Sequence, residues 1–177
     1  RYANDFNAYR LPDDAPGGAN RIDVDAIKGA ASQARADGAD LVVLSLHFGN
    51  EYQHDPSDYQ RDVVDQLLPS DDISVIIGHH AHVVQPIERV EGTFVVWGLG
   101  NQVSNQSELP RRDGLMVRLD AARDEAGDWS VATVEAIPTF VDLSTYEIHP
   151  VVEALADPAT PAGLRDQLSA SYDRTAE

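Results

Sequence analysis

The stretch Ile73-Ser-Val-Ile-Ile-Gly-His-His-Ala-His82 decides the fold, because it joins an apolar strand to a cluster of histidines. Its first five residues have the composition of a buried strand, and Gly78 is expected to act as a pivot after it. In α/β proteins, side chains that follow such strands converge on a crevice at the carboxyl edge of the sheet. Imidazoles crowded there favour a shared cation over mutual repulsion. The clustered residues are His79, His80 and His82. We therefore predict a metal site at this edge.

Two further apolar runs end in polar, chemically capable residues. Leu41–Leu46 is predicted to be a buried strand that ends at His47, and Thr93–Trp97 is predicted to be a strand that leads into Asn101. If the first two strands are parallel neighbours, His47 and the histidine cluster share one edge of the sheet. Four imidazoles and an amide oxygen suit Zn²⁺, Mn²⁺ or Fe²⁺ better than Mg²⁺ or Ca²⁺.

Helices are expected before each of the first two histidine-bearing strands. One is predicted from about Val24 to Asp37, with Asp23 as its N-cap. Another begins at the capping box Ser57–Gln60 and runs to Pro69. Its apolar face is predicted to contain Tyr59, Val63 and Leu67. The alternation of helices and strands predicts an α/β fold with a mixed, mostly parallel sheet and flanking helices.

The two ends of the chain have a different character. Residues 1–20 show little periodicity and are predicted to be irregular. Segments 115–119 and 129–137 are predicted to form an antiparallel pair around the turn 126–128. The rest of the chain is rich in proline, with a short helix expected near 162–172. There is no internal repeat or linker, so residues 1–177 are interpreted as a single domain.

The composition excludes several classes of function. The chain has 30 acidic and 13 basic residues, and a net charge of -17 argues against binding to nucleic acid or to anionic membrane surfaces. The absence of cysteine excludes disulfides and thiolate metal sites. No apolar stretch is long enough to span a membrane, so membrane contact is expected only through an anchor outside this sequence. Because the chain begins at Arg1, we expect a leader or an upstream domain to precede it.

The remaining polar residues divide into site candidates and ordinary residues. Glu51 is interpreted as a metal ligand, as a residue that orients a histidine, as an acid/base, or as a solvated loop carboxylate. Glu88 is interpreted as an anchor for the turn after the cluster, and His54 and His149 as ordinary histidines. No Asp-x-His or Gly-Asp-x-x-Asp pattern supplies the bridging carboxylate of a dinuclear hydrolytic centre. The sequence therefore predicts half of such a centre.

Three motifs resemble the bacterial capsule-synthesis (CapA-like, poly-γ-glutamate synthesis, PGA_cap) family of the calcineurin-like metallophosphoesterase superfamily. They are His47-Phe-Gly-Asn-Glu-Tyr52, Gly78-His-His-Ala-His-Val-Val-Gln-Pro-Ile-Glu88 and Leu99-Gly-Asn101. The resemblance extends to segments around Asn4–Asn7, Ile137–Thr139 and Ser171–Thr175. It covers the second half of the family domain, and implies half of a four-layer α/β sandwich.

The resemblance also implies roles for the candidate residues. His47 corresponds to a metal ligand, and the cluster corresponds to a Gly-His-x-His element with one extra residue, so that either His79 or His80 ligates the metal with His82. The implied cofactor is a divalent metal, dinuclear in the complete domain and either Mn, Zn or Fe. Glu51 and Asn101 are the predicted catalytic residues.

Several functions are compatible with this resemblance. The first is a metal-dependent hydrolase or transferase of capsule or poly-γ-glutamate biosynthesis, acting on an anionic phosphoester, amide or polymer. The second is a non-catalytic component of a capsule-polymer assembly or export complex with a structural or vestigial metal site. The third is an excised half-domain. An N-terminal half or a capsule-synthesis partner is expected to cover the unpaired sheet edge, and the resemblance implies an extracytoplasmic or membrane-associated place in the cell envelope.

Overall fold

The computed structural model describes residues 2–3 and 20–176, which form two sheets and the helices packed on them. The first sheet contains β1 (Tyr2–Ala3), β2 (Asn20–Arg21), β3 (Val43–His47), β4 (Val75–His79), β5 (Ile87–Val90) and β6 (Thr93–Val96). Its six strands lie in the order β2-β1-β3-β4-β6-β5. Every neighbouring pair is parallel except β5 and β6.

The second sheet is antiparallel and has three strands in the order β7-β8-β9. These are β7 (Asp113–Arg123), β8 (Trp129–Asp142) and β9 (Glu147–Pro150). The helices are α1 (Val24–Ala36), α2 (Asp58–Leu67), α3 (Val151–Ala156) and α4 (Ala162–Thr175), with a 3₁₀ turn at Leu109–Arg111. The predicted α/β class, with a mixed, mostly parallel sheet and helices, is confirmed.

Helix α1 follows the prediction to within one residue. The side chain of Asp23 accepts a hydrogen bond from the Ala26 amide at 3.0 Å, as an N-cap does. Ile27 and Ala31 are buried on one face. The chain leaves the helix at Gly38, whose φ of +99° is available to glycine at little cost.

Helix α2 has the predicted capping box but a slightly different buried face. The Ser57 hydroxyl accepts a hydrogen bond from the Gln60 backbone amide, and the side-chain oxygen of Gln60 accepts one from the Ser57 backbone amide. Tyr59, predicted to lie on the apolar face, is 43% exposed. The buried stripe is displaced because Gln60, although polar, points into the core. The buried residues are Gln60, Val63, Val64 and Leu67.

The two central strands are parallel neighbours, as the histidine argument requires. Their register aligns Val43 with Val75 and His47 with His79. Gly78 lies inside β4, so the predicted pivot is wrong, and a different constraint requires glycine there. A Cβ at Gly78 would overlap the carbonyl oxygen of Trp97 and lie 2.7 Å from its carbonyl carbon.

Three elements were not predicted from the sequence, and three others are longer than predicted. The segment after the histidine cluster, predicted to be a turn, contains β5, which pairs with β6 through a turn at Glu91 and Gly92, both at positive φ. Strand β9 and helix α3 lie in the proline-rich part of the chain. The predicted antiparallel pair is confirmed but is longer than expected, and helix α4 continues to Thr175.

The main core lies between helices α1 and α2 and the parallel sheet. It includes Ile27, Leu46, Val64, Ile76 and Trp97. A smaller core joins β8 to α3 and α4 and consists of Phe140, Val151 and Leu168. No helix in the described ranges is both long and apolar enough to cross a bilayer. The predictions for residues 4–19, including the resemblance at Asn4–Asn7, lie outside the described residues.

Candidate metal centre

The carboxyl ends of β3 and β4 bring the predicted histidines together. His47 and His79 are register partners at the ends of the two strands. The loops that follow stay together, because the Phe48 amide donates to the His79 carbonyl at 3.0 Å and the Tyr52 amide donates to the Ala81 carbonyl at 2.7 Å. These bonds place the two histidine motifs on one edge of the sheet, as predicted.

His80 contacts His47. Its Nδ1 lies 3.1 Å from Nε2 of His47, and the two ring centroids are 4.8 Å apart. Burial lowers the pKa of His80 below its usual value of 6.5, and the nearby Glu51 carboxylate opposes this shift. The neutral form is therefore favoured, and a neutral imidazole is the form that can bind a metal.

His82 is oriented by Asn101. The two groups are 2.9 Å apart, and because the amide oxygen of Asn101 can only accept, His82 donates from Nδ1. Its Nε2 is left facing Glu51, 4.0 Å from a carboxylate oxygen. The ring of His82 lies 6.2 Å from that of His80. A histidine fixed through one nitrogen presents the other in a defined direction, which is typical of metal-binding histidines.

The backbone around the cluster is strained. Tyr52, His80 and His82 have φ values of +65°, +104° and +58°, in the left-handed region that residues with side chains seldom adopt. Such conformations cost on the order of 1–3 kcal/mol each and persist only where the surrounding structure imposes them. Their concentration at one sheet edge is typical of a functional site.

Asn101 connects the histidine loop to the second sheet. Its Nδ2 donates to the carbonyls of His82 at 3.3 Å and Arg111 at 2.9 Å. Gly100, next to it, forms a bridge to Gly114 of β7, and a Cβ on Gly100 would overlap the Asp113 carbonyl. The structure thus places Asn101, predicted to be catalytic, where it positions His82.

The other sequence candidates lie as follows. Glu51 is exposed and faces His82, so a direct role for its carboxylate stays a prediction. Glu88 accepts from the Trp97 indole at 2.8 Å and from Arg61 at 3.3 Å, which fits the anchoring role predicted for it. His54 bonds the Val84 carbonyl, and His149 lies in β9 of the second sheet.

Sequence reasoning missed two pairs that support the site. Gln60 donates to Gln85 at 2.9 Å, and Gln85 in turn donates to the Gln53 carbonyl at 2.9 Å, which holds the loop that carries Glu51. The signal in the sequence for this pair was Gln60, a polar residue on the apolar face of the helix. Arg111, whose guanidinium lies 3.6 Å from the centre of the Tyr52 ring, had no signal in the sequence.

The donor chemistry fits a metal, but the described side chains supply only part of a coordination shell. Two nitrogens bound to one zinc ion at about 2.0–2.1 Å stand roughly 3.0–3.4 Å apart. The 3.1 Å separation of the His47 and His80 nitrogens is compatible with that as well as with a hydrogen bond. Within residues 2–3 and 20–176, however, no three His, Cys, Asp or Glu side chains converge closely enough to hold a metal ion. The predicted four-histidine set is therefore not assembled as a single group.

Comparison with known protein families identifies the chain. The model of the bacterial capsule synthesis protein family PGA_cap matches residues 2–106. The chain belongs to this family. The matched range contains all the predicted site residues, whereas β7–β9 and helices α3 and α4 lie beyond it.

Two PGA_cap relatives are similar over part of their length. The PGA biosynthesis protein CapA of Bacillus subtilis strain 168 is 32% identical over 120 residues, which cover 66% of this chain and 31% of that protein. The capsule biosynthesis protein CapA of Bacillus anthracis is 31% identical over 88 residues, which cover 50% of this chain and 21% of that protein. The chain therefore aligns with a third or less of each relative.

Among solved structures, the calcineurin-like phosphoesterase YfkN of Bacillus subtilis aligns with a TM-score of 0.43 and 17% identity. The alignment covers 86% of this chain and 42% of YfkN.

Proposed function

We propose that this PGA_cap chain carries the histidine half of a metal-dependent hydrolytic site that acts on an anionic phosphoester or amide during capsule or poly-γ-glutamate synthesis. The observation that carries the proposal is the contact between His47 and His80 at the carboxyl edge of parallel strands, with His82 beside them. In the proposed whole protein, the parallel sheet is one part of a metallophosphoesterase-type sandwich.

In this proposal His47 and His80 hold a divalent metal, Zn, Mn or Fe, and His82 contributes Nε2 to the same centre. The contact with His47 supports His80 as one of the ligands. The full centre is dinuclear and takes its remaining ligands from outside the described residues. A bound metal would supply an activated water and neutralise negative charge that develops on the substrate.

The residues of this chain have separate tasks. Asn101 keeps the Nδ1 proton on His82 and so leaves Nε2 free of hydrogen when the ring is neutral. Glu51, at 4.0 Å from that nitrogen, is placed to orient His82 or to accept a proton at its carboxylate. The loop that carries Glu51 is held by the buried Gln60–Gln85 pair, which keeps the carboxylate near the ring.

A second candidate is a non-catalytic component of a capsule-polymer assembly or export complex. It is favoured by the lack of a group of three ligating side chains in the part of the chain that the structure describes. In that case the histidines form a structural or vestigial site. Both candidates place the protein in the cell envelope, in contact with an anionic polymer or phosphoester and with a partner segment that completes the domain.

Metal content and turnover distinguish the two candidates. The experiment compares this chain with the same chain in its full native polypeptide, and measures bound metal and hydrolysis of a generic phosphodiester and of a γ-glutamyl amide, with and without chelator. We expect weak metal binding and little activity for the chain alone, and chelator-sensitive turnover with one or two metal equivalents for the full polypeptide. Metal without turnover, or absence of metal from the full polypeptide, contradicts the hydrolytic site and supports the non-catalytic candidate.

Variants connect this result to the histidines. His80→Gln in the full polypeptide is expected to lower metal content and turnover together, whereas His149→Gln, in the second sheet, retains both. Equal metal content in the two variants would remove the histidine cluster from the proposed site.

A further inference from the structure

Arg111 lies beside the histidine cluster and has no role in the proposed metal site. Its guanidinium lies 3.6 Å from the centre of the Tyr52 ring, and that ring is 6.0 Å from the ring of His82. The Arg111 guanidinium therefore lies no farther from the centre of the His82 ring than the sum of these two distances. Arg111 belongs to the 3₁₀ turn that precedes β7, so the second sheet brings it to the edge of the first.

The guanidinium is fixed but can still bind a ligand. A cation stacked on an aromatic face uses that face, and its N–H groups remain in the plane of the guanidinium. One terminal nitrogen of Arg111 is paired with Glu108 at 2.9 Å, and the Glu108 side chain is 66% exposed. The Arg111 side chain is 26% exposed, but the Glu108 carboxylate lies largely in solvent, so an incoming anion can replace Glu108 at small cost.

Asn101 links the two groups. Its Nδ2 donates to the backbone carbonyl of Arg111, and its Oδ1 accepts from His82. Tyr52 forms a second link, since its amide donates to the Ala81 carbonyl in the middle of the histidine cluster. Arg111 is thus held on both its backbone and its side chain by residues of the histidine edge.

The charge of the protein makes a local cation necessary for an anionic substrate. A chain with net charge -17 repels anions as a whole, so a substrate that bears carboxylates or phosphates needs a counter-charge at the point of binding. Arginine is suited to this task because its planar N–H fork matches two oxygens of a carboxylate or phosphate.

We propose that Arg111 binds an oxyanion group of the substrate, a carboxylate or a phosphate, next to the histidine cluster, and that Tyr52 is the positioning residue that fixes its guanidinium. The proposal rests on the proposed function for the identity of the site. It identifies an anionic substrate by the group that Arg111 binds, and it requires no metal for that binding.

The test measures anion binding by the metal-free chain. Inorganic phosphate and a γ-linked glutamate trimer are titrated in separate arms, and the Nε–Hε resonances of the arginines are followed by NMR. We expect the Arg111 resonance to shift with at least one probe. Arg111→Ala should raise the dissociation constant about tenfold or more, and Arg111→Lys should give an intermediate value because the charge remains while the fork is lost.

The controls separate local binding from general charge. Arg118→Ala removes another ion-paired arginine, whose partner is Glu135 in the second sheet, and should leave the dissociation constant unchanged. Tyr52→Ala should weaken binding severalfold, and Tyr52→Phe, which keeps the ring, should restore it. Binding of neither probe by the wild-type chain, or an equal effect of the Arg111 and Arg118 variants, overturns the proposal.

Failure of this proposal is distinguishable from failure of the proposed function. His80→Gln is expected to lower metal binding by the full polypeptide and to leave anion binding by the metal-free chain unchanged. Loss of anion binding in the His80 variant would show that the oxyanion binds at the histidines and would contradict the role of Arg111.

Discussion

The two sheets of this protein differ in how their residues are used. In the parallel sheet, helices cover the buried face of β3 and β4, and polar residues gather where these strands end. In the antiparallel sheet, most of the long β7–β8 hairpin is exposed, and burial is concentrated near its junction with the first sheet. The first sheet supplies the histidines, and the second supports Asn101, which holds His82.

This difference means that the site depends on the contacts between the two sheets. The bridge between Gly100 and Gly114 and the bonds of Asn101 connect the histidine edge to β7. Arg174 and Asp113 then tie the start of β7 to helix α4. Changes in either sheet should therefore reach the site, but through different physical effects.

The largest effect is expected from Gly78→Ala in the parallel sheet. The added Cβ would overlap the Trp97 carbonyl, and backbone on both strands would have to move. We expect a loss of about 3 kcal/mol or more in the free energy of unfolding, measured by denaturant titration. Gly29→Ala, in an open position of helix α1, is the matched control and should stabilise by about 0.5–1 kcal/mol. Similar results for both variants would contradict the packing of β4 against β6.

A smaller loss is expected from Asp113→Asn in the antiparallel sheet. Asp113 is buried and receives two hydrogen bonds from Arg174, at 2.7 and 2.9 Å. Asparagine keeps one acceptor oxygen but loses the charge and the second acceptor, at a cost of about 2–3 kcal/mol. Arg118→Ala, which breaks an exposed pair in the same strand, should cost much less. Equal losses of stability in the two variants would mean that the Arg174–Asp113 ion pair does not hold the second sheet to helix α4.

Asn101→Ala directly tests the contacts between the two sheets. The substitution removes hydrogen bonds to His82 and Arg111, and we expect a loss of about 1–2 kcal/mol. The His82 ring should also become mobile, which is visible in its NMR relaxation. Asn50→Ala removes one exposed side-chain bond to Gln53 and serves as the control, with a loss below about 1 kcal/mol. An immobile His82 in the Asn101 variant would contradict the positioning role.

The smallest effect concerns pH and the turn between β8 and β9. Hydrogen bonds from the Ser144 amide and hydroxyl lower the pKa of Asp142 below its usual 3.8. A lowered carboxyl pKa stabilises the fold above the unfolded value, and this contribution is lost as the pH falls through the folded pKa. The stability difference between wild type and Asp142→Asn should therefore be constant near neutral pH and shrink below pH 3.8.

Ser144→Ala provides the matching control for the pH prediction, because it removes the hydroxyl donor and keeps the amide donor. It should reduce the pH-dependent difference without abolishing it. A stability difference between wild type and Asp142→Asn that does not change with pH would show that the turn between β8 and β9 does not depend on the charge of Asp142.

Much of the parallel sheet could be predicted from sequence because its signals are local. Helix α1 has a cap and a stop, and each buried strand is a short apolar run. The parallel pairing of β3 and β4 follows from the helix between them. Strand β5 could not be predicted in this way. Its four residues show no alternation of apolar and polar side chains, and its pairing with β6 depends on the turn at Glu91 and Gly92.

The candidate site was predicted by composition and not by geometry. The sequence placed His47 and the cluster on one edge but left two registers open, and the contact between the rings of His80 and His47 appears only in the structure. The tie from Asn101 to Arg111 depends on the packing of β7 against the loop after β6. Contacts between elements distant in sequence leave no periodic pattern, so they appear only in the folded chain.

The central claim is that His47 and His80 share one metal ion. It is tested most directly by following the ring nitrogens of the histidines by NMR while zinc is added to the chain. We expect Nε2 of His47 and Nδ1 of His80 to shift together at the same zinc equivalents, while the ring nitrogens of His149 do not move. Unchanged His47 and His80 nitrogens, or shifts confined to His54 and His149, would contradict it.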